Sequence, residues 1–405
     1  MKITFVTVRY GPAVVGGAEQ ACRQLAEHLA ADGVDVGVHT TCAVDAVTWA
    51  DVLPAGRSVE AGVTVHRHRS TSGRDPHFDD RSRPVLSDPA HQAPAAQERW
   101  LERQGPVCPA AVEGALADDA DLVVATPYLY WPTVALAARV RPGGLVLHPA
   151  AHDEAPIRLP VFANVFGAAA GLAFYTDAER RLVERLFPPV AARSQLVIGV
   201  GVDAVDAVDA GAFRQAAGIG ERPYLLCLGR VDDGKGTAVL GRFFAAYKRR
   251  RPGPLALVFA GPVVHPPDPH PDVIVTGPLD EADKWSALAG AAALVNPSAN
   301  ESFSIVLLEA WAVGRPVLVN VRCAATSEHV RRSHGGVAFG GYASFEAAVD
   351  RLLADEGAAR TLGDAGRAYV EALFGWPAVT ARYRRWLEGL VSAGSRRRSG
   401  TLVEP

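Results

Sequence analysis

Long apolar runs, paired cysteines and a surplus of one charge are what this 405-residue sequence lacks. No stretch approaches the roughly 18 uninterrupted apolar residues that a membrane-spanning helix needs. The 41 Lys and Arg against 44 Asp and Glu leave a formal charge of −3, which offers no basic field to nucleic acid. Five cysteines, an odd number without paired spacing, argue for reduced thiols in a cytoplasmic chain rather than a disulfide framework. The opening Met1-Lys2-Ile3-Thr4-Phe5-Val6-Thr7-Val8 is too short an apolar run for a signal peptide and reads as a first strand. His66, His68, His77, Asp79 and Asp80 are the residues from which a metal site would be drawn. Their spacing matches no defined ligand pattern, so no metal is expected.

What is present is material for two cores: 49% hydrophobic residues in a length that suggests two domains. Strand Ile3 to Val8, the glycine turn Gly11 to Gly17, a helix from Ala18 to Ala31 and strand Val34 to Thr41 make a βαβ unit of a parallel sheet. From Asp45 to about Asp119 the pattern weakens, with one strand at Val63 to His68 and a polar stretch from Ser70 to Pro94. Strands return near residues 121–125, 144–147, 171–175 and 195–199. A second alternation of strand and helix starts at Tyr224 and runs past Asn320, so two Rossmann-like lobes are expected, hinged at Gly199-Val200-Gly201-Val202-Asp203. The last helices are placed near 358–373 and 378–390, and a disordered tail from Ser395 to Pro405.

The densest chemistry lies in Pro297-Ser298-Ala299-Asn300-Glu301-Ser302-Phe303-Ser304-Ile305-Val306-Leu307-Leu308-Glu309. Leu294 and Val295 end a buried strand, and Ser302 or Ser304 caps a helix from Ile305 to Ala312. Unpaired N–H groups and the positive dipole end at that helix start suit a diphosphate. Glu309 stands about 7 Å along the axis, at 1.5 Å per residue, where it can accept ribose hydroxyls. Glu301, ahead of the helix, reaches a sugar on the other side. The alternative is an amphipathic helix with two solvated glutamates.

Glu301 to Glu309, followed by Ala310-Trp311-Ala312-Val313-Gly314-Arg315-Pro316-Val317, resembles the E-x7-E region of the retaining glycosyltransferases of family 4. The resemblance implies an α/β protein of GT-B fold, with two Rossmann-like lobes, a cleft between them and a C-terminal helix crossing back to the first lobe. A second motif, Leu228-Gly229-Arg230-Val231-Asp232-Asp233-Gly234-Lys235-Gly236, follows a strand and precedes a helix. Arg230 as a planar fork and Lys235 as a point charge can hold a diphosphate leaving group without a metal, as the family's clamp does. The alternative is a solvated loop with an Arg–Asp pair, and Asp232 and Asp233 read as solvated loop residues. Gly16-Gly17-Ala18-Glu19 lacks the third glycine of the dinucleotide fingerprint and is similar to the family's first-lobe glycine loop. Many relatives keep a histidine near the transferred sugar, and His152 looks like it, with His148 competing for the role.

Two departures from the family pattern leave the donor sugar open. Ser302-Phe303-Ser304 stands where relatives often have Gly-Phe-Gly, and Val321-Arg322-Cys323-Ala324 precedes Glu328 where many have a glycine loop before a glutamate. The resemblance gives domains of 1–200 for the acceptor lobe, with a helix at about 376–392 packing back, and 201–375 for the donor lobe. It implies retaining transfer of a hexose from a nucleotide-diphosphate sugar to a hydroxyl of a glycan, a lipid-linked sugar or a small natural product, without cofactor. Arg230, Lys235, Glu301 and His152 are the catalytic candidates. Glu309, Gly16, Gly17, Ser302, Phe303 and Ser304 are the donor-binding candidates. Trp49, Trp100, Tyr128, Tyr130 and Trp131 are either sugar platforms or core. Arg396-Arg397-Arg398 is short for a polybasic patch and leaves peripheral contact at the inner membrane face open. The competing readings are an epimerase or phosphorylase on the same fold, or a noncatalytic nucleotide-sugar-binding protein. A dehydrogenase fails at the incomplete fingerprint.

Overall fold

Short β-branched and leucine-rich runs, bounded by glycine and proline, form the strands of two sheets in the computed structural model, which describes residues 1–203 and 208–400. The chain divides into two units, Met1–Gly201 with Trp376–Pro405, and Val202–Gly375. Both divisions fall beside glycines, one of them inside the expected hinge.

The first unit carries eight strands: β1 (Lys2–Thr7), β2 (Asp35–Thr41), β3 (Gly56–Glu60), β4 (Val63–His68), β5 (Leu122–Thr126), β6 (Leu145–Leu147), β7 (Gly171–Phe174) and β8 (Ser194–Val197). Their order is β3-β4-β2-β1-β5-β6-β7-β8. All neighbours are parallel except β3 with β4, a hairpin at the edge. Chain order reverses beside β1, so the loops after β1 and β6 leave the same carboxyl end, where open α/β sheets bind ligands. The core on one face gathers Tyr128, Phe162, Phe166, Leu172 and Phe174.

The second unit carries six parallel strands: β9 (Tyr224–Leu228), β10 (Ala256–Ala260), β11 (Val273–Gly277), β12 (Ala293–Asn296), β13 (Val317–Asn320) and β14 (Gly336–Phe339). Their order is β11-β10-β9-β12-β13-β14, which puts the reversal between β9 and β12. The near-continuous apolar runs of β9, β10, β12 and β13 are buried, as the interior of a parallel sheet requires, whereas the edge strands β11 and β14 are only partly so. Phe244, Phe259, Leu318 and Phe345 anchor this core.

Three expectations change. Residues 45–119 are not mostly loop: helices Phe78–Ser87, Pro94–Gln104 and Pro109–Ala117 fill the stretch, the first with Pro84 inside it. Phe78 and Trp100 bury between the first two, 5.5 Å apart by ring centroid, so a few large residues carry helices whose other positions are charged. Strands β3 and β14 were also unexpected; β3 is an exposed edge and β14 begins with glycine. The tail expected from Ser395 continues the helix Trp376–Gly400, since arginine is a good helix former and no proline interrupts it before Pro405. Residues 401–405, and the side chains of Arg396, Arg397 and Arg398, lie outside the described structure.

Trp376–Gly400 packs within the first unit. Trp376 stacks on His28 with centroids 4.2 Å apart, and Trp386 donates from its indole to Ser194 Oγ at 2.9 Å. No described helix is long and apolar enough to cross a membrane.

Candidate active site

Two loops leave the carboxyl ends of the central strands β9 and β12, at the point where the second sheet reverses its order. The first runs from Gly229 to Gly236, the second from Pro297 to Ser304. They touch backbone to backbone: a Cβ on Gly236, which sits at φ +75°, would lie 2.8 Å from the carbonyl oxygen of Pro297. Only glycine allows both that conformation and that approach.

The first loop is built around Asp232, which is buried rather than solvated as expected. Arg230 Nε donates to its carboxylate, and so does the backbone N–H of Lys235 at 2.7 Å. Thr237 Oγ1 donates to the Asp232 carbonyl at 2.9 Å. The carboxylate therefore folds the loop so that both cations leave it together. Asp233 is exposed, with His265 at 3.5 Å.

The second loop is tied at both ends by Asn296. Its side-chain oxygen accepts from the Ser298 N–H at 3.0 Å, and its amide donates to Ser304 Oγ at 2.8 Å. Asn320 donates to the Pro297 carbonyl at 2.9 Å. Helix Ile305–Ala312 then begins as expected, but without a side-chain cap, because the Ser304 hydroxyl is engaged by Asn296. Ser304 has φ +74°, a left-handed conformation that disfavours any side chain. This explains why glycine is usual there. Phe303 is core: it meets His329 edge-on at 4.8 Å and Phe374 at 5.8 Å, beneath the loop. Ser302 is half-buried. Glu328 is buried beside Arg332 at 3.6 Å.

The two motifs also meet through their side chains. Lys235 Nζ donates to Glu301 Oε1 at 2.7 Å, with the Lys235 side chain 36% exposed. Lys235 and Glu301 thus form an ion pair whose ammonium is still open to a ligand, while Arg230 is held in the same loop by Asp232. Glu309 is buried within the helix, its side chain 7% exposed, and Lys284 Nζ donates to its Oε1 at 2.8 Å. Burial pushes the Glu309 carboxyl above its ordinary range, and the Lys284 charge and hydrogen bond oppose that.

In the first unit the glycine loop is clamped by a buried ion pair. Arg9, at the end of β1, donates to Glu19 Oε1 from Nε at 3.0 Å, and from Nη1 to the carbonyls of Val15 and Val44. Gly16 caps helix Gly17–Ala31 and lies against this pair, while nothing crowds Gly17. The two histidines of the β6 loop separate clearly. His148 is buried and bonded to the Tyr383 hydroxyl at 2.8 Å, and desolvation drops its pKa to about 3. His152 is 31% exposed at its side chain, its Nδ1 is buried with no hydrogen-bond partner, and its Nε2 lies 3.8 Å from Glu154. Buried Glu179 accepts from the N–H groups of Ala151 and Tyr175 at 2.7 and 2.6 Å, pinning the turn before His152; burial raises its pKa to about 8. Trp49, Trp100 and Tyr128 are core, whereas Tyr130 and Trp131 are partly exposed. His66 and His68 stack on His39 in the first sheet, and His68 Nε2 lies 3.0 Å from His39 Nδ1.

Arg9, Glu179, Asp232 and Lys284 escape sequence reasoning, since each acts through a partner that no local pattern predicts. Asp232 carried the one available signal: an acid between two cations in a glycine-bounded loop.

Residues 222–355, which contain both loops, match the family model described as "Glycosyl transferases group 1". The chain is 28% identical over 284 residues to the GDP-mannose-dependent alpha-(1-6)-phosphatidylinositol monomannoside mannosyltransferase of Mycobacterium tuberculosis, covering 64% of this chain and 74% of that protein. Among solved structures it resembles sucrose-phosphate synthase from Thermosynechococcus elongatus, with a TM-score of 0.73 at 20% identity over 97% of this chain and 99% of the other. It also resembles Anabaena HepE in complex with UDP and glucose, with a TM-score of 0.68 at 17% identity over 96% and 100%. The α/β architecture of two Rossmann-like sheets with C-terminal helices is therefore that of the GT-B fold. Residues 222–355 thus carry a segment of the group 1 glycosyltransferase type, and the chain as a whole resembles glycosyltransferases of family 4 that use nucleotide-sugar donors.

Proposed function

We propose that this protein is a retaining, metal-independent hexosyltransferase whose second unit, residues 202–375, holds the donor and whose first unit serves the acceptor. The contact of Lys235 with Glu301 carries the reading, because it joins a cation suited to a diphosphate to a carboxylate suited to sugar hydroxyls. Arg230 and Lys235 stabilise the charge that grows on the departing diphosphate. Glu301 orients the sugar, Glu309 accepts the ribose hydroxyls, and the Ser302 and Ser304 region borders the donor. Within the first unit, His152 offers a part-exposed imidazole suited to a sugar hydroxyl, and Gly16 and Gly17 bring bare backbone to a ligand. In the reaction the bond from the anomeric carbon to the β-phosphate oxygen breaks through an oxocarbenium-like state. The acceptor oxygen bonds that carbon, and nucleoside diphosphate and a proton are released.

The mycobacterial relative makes GDP-mannose the first donor to try and an inositol-containing lipid the first acceptor class. UDP-glucose is the comparison donor, after the solved relative that carries UDP and glucose. Incubation with each donor and acceptor, with and without EDTA, followed by NMR of the product, tests the proposal. A product of unchanged anomeric configuration, formed equally with EDTA, is expected. Inversion, a metal requirement, or sugar transfer that needs inorganic phosphate would contradict it.

A further inference from the structure

The Glu309 carboxylate is buried, yet its proposed task needs it ionised. A vicinal diol donates two hydrogen bonds, which an ionised carboxylate accepts and a protonated one meets only in part. An unpaired carboxylate at such a position is strongly disfavoured. Lys284 supplies the compensation. It lies in the first turns of helix Glu281–Gly290 and is 14% exposed at its side chain. Its Nζ is 2.8 Å from Glu309 Oε1 and 2.7 Å from Glu281 Oε2, and 4.9 Å from the centroid of the Trp285 ring. Three neighbours thus hold the ammonium in place. Glu281 is 77% exposed and screened by water, so Glu309 is the buried partner whose ionisation depends on this cation.

We infer that Lys284 is a positioning residue of the donor site: it keeps Glu309 ionised and oriented so that the buried carboxylate accepts the ribose hydroxyls of a nucleoside diphosphate. The inference rests on the ribose-binding role proposed for Glu309. The elements packed around Glu309 support it. Its own helix, Ile305–Ala312, holds no other titratable group, and neither do β12 and β13. On helix Glu356–Leu373, Arg367 faces Gly314 beyond the far end of the Glu309 helix, and Tyr369 faces Trp311. Lys284 and Glu281 are the charges that act on the carboxylate, in opposite senses. Burial lowers the Lys284 pKa, but the two carboxylates outweigh that and hold it above the ordinary value, so the cation persists across the working range.

The test is the dissociation constant of GDP or UDP, whichever binds the wild-type protein, titrated calorimetrically from pH 5.5 to 9 in wild type, Lys284→Met, Lys284→Arg and Glu309→Gln. Comparison with wild type at each pH removes the titration of the nucleotide's own phosphate. In Lys284→Met, Glu309 loses the cation that opposes its burial, so its carboxyl is pushed further up and is protonated over more of the pH range. Binding at pH 7 should weaken about tenfold for each unit by which the carboxyl pKa then exceeds pH 7, and recover towards pH 9. Lys284→Arg should follow wild type. Should Lys284→Met not fold, Lys284→Gln keeps an amide donor on Glu309 without charge, and the same upward displacement is expected. Equal affinity to wild type, or a loss independent of pH, overturns the inference. Glu309→Gln separates the two levels: if it binds as wild type does, the ribose role itself is wrong, whereas weakened binding beside a flat Lys284→Met profile refutes only the role of Lys284.

Discussion

Lys235 faces two partners in turn, Glu301 in the free protein and, in the proposed reaction, the departing diphosphate. Lys235→Ala is expected to lower kcat about 10²–10³-fold, roughly 2.7–4 kcal/mol of barrier, the scale of losing one preorganised donor to developing charge. Steady-state kinetics with the cognate donor checks it, with thermal unfolding as control for the half-exposed site. Two histidines bear instead on stability. His148 and His329 are buried, and desolvation lowers each to about 3 from the usual 6.5. The unfolded chain therefore binds protons that the folded chain refuses between pH 6.5 and about 3. The contribution of the two histidines is full above pH 6.5 and falls as pH drops through that window, by about 1.4 kcal/mol per pH unit each. Buried Glu179, raised from 4.5 to about 8, acts in the opposite sense between those values. Urea unfolding midpoints from pH 7 to 5 should show the slope, and His329→Phe should reduce it. Where these residues stand, though not what they do, is legible in sequence when a strand precedes them, as for Arg230, Lys235, Glu301 and Glu309. Sequence reading failed where a role depends on burial. His148 and His152 look equivalent as text, and only the Tyr383 hydroxyl, 235 residues away, separates them.

Loops, rather than helices or strands, decide the site at the next scale. The carboxyl ends of β9 and β12 place two loops side by side, and Gly236 makes their contact. Gly236→Ala should cost about 1–3 kcal/mol, from strain at a left-handed φ and a clash with the Pro297 carbonyl. It should raise the donor KM as well, because the displaced neighbour is Lys235; a variant with unchanged stability would refute the packing argument. The parallel strands were legible because burial on both faces leaves an uninterrupted apolar run. Helices Phe78–Ser87 and Pro94–Gln104 were not, since charged residues and Pro84 obscure the two or three positions that bury. The edge strand β3 likewise alternates little, being exposed over much of its length.

At the scale of the whole chain, two sheets each reverse their strand order beside a loop rich in glycine or polar residues, and two successive alternations of strand and helix are what made two lobes readable from sequence. The C-terminal helix, Trp376–Gly400, returns to the first unit through Trp376 on His28 and Tyr383 on His148, contacts with no local signature. The central claim is that Arg230, Lys235, Glu301 and Glu309 together form a nucleotide-sugar donor site, and a ligand that binds only the folded protein must stabilise it. The most direct measurement is thermal unfolding of the full chain with GDP, UDP, ADP and TDP, beside a Lys235→Ala, Glu309→Ala double variant. One nucleotide at about 100 times its dissociation constant should add roughly 2.7 kcal/mol to the wild type and almost nothing to the double variant. Stabilisation of both proteins alike, or of neither by any nucleotide, would contradict the account.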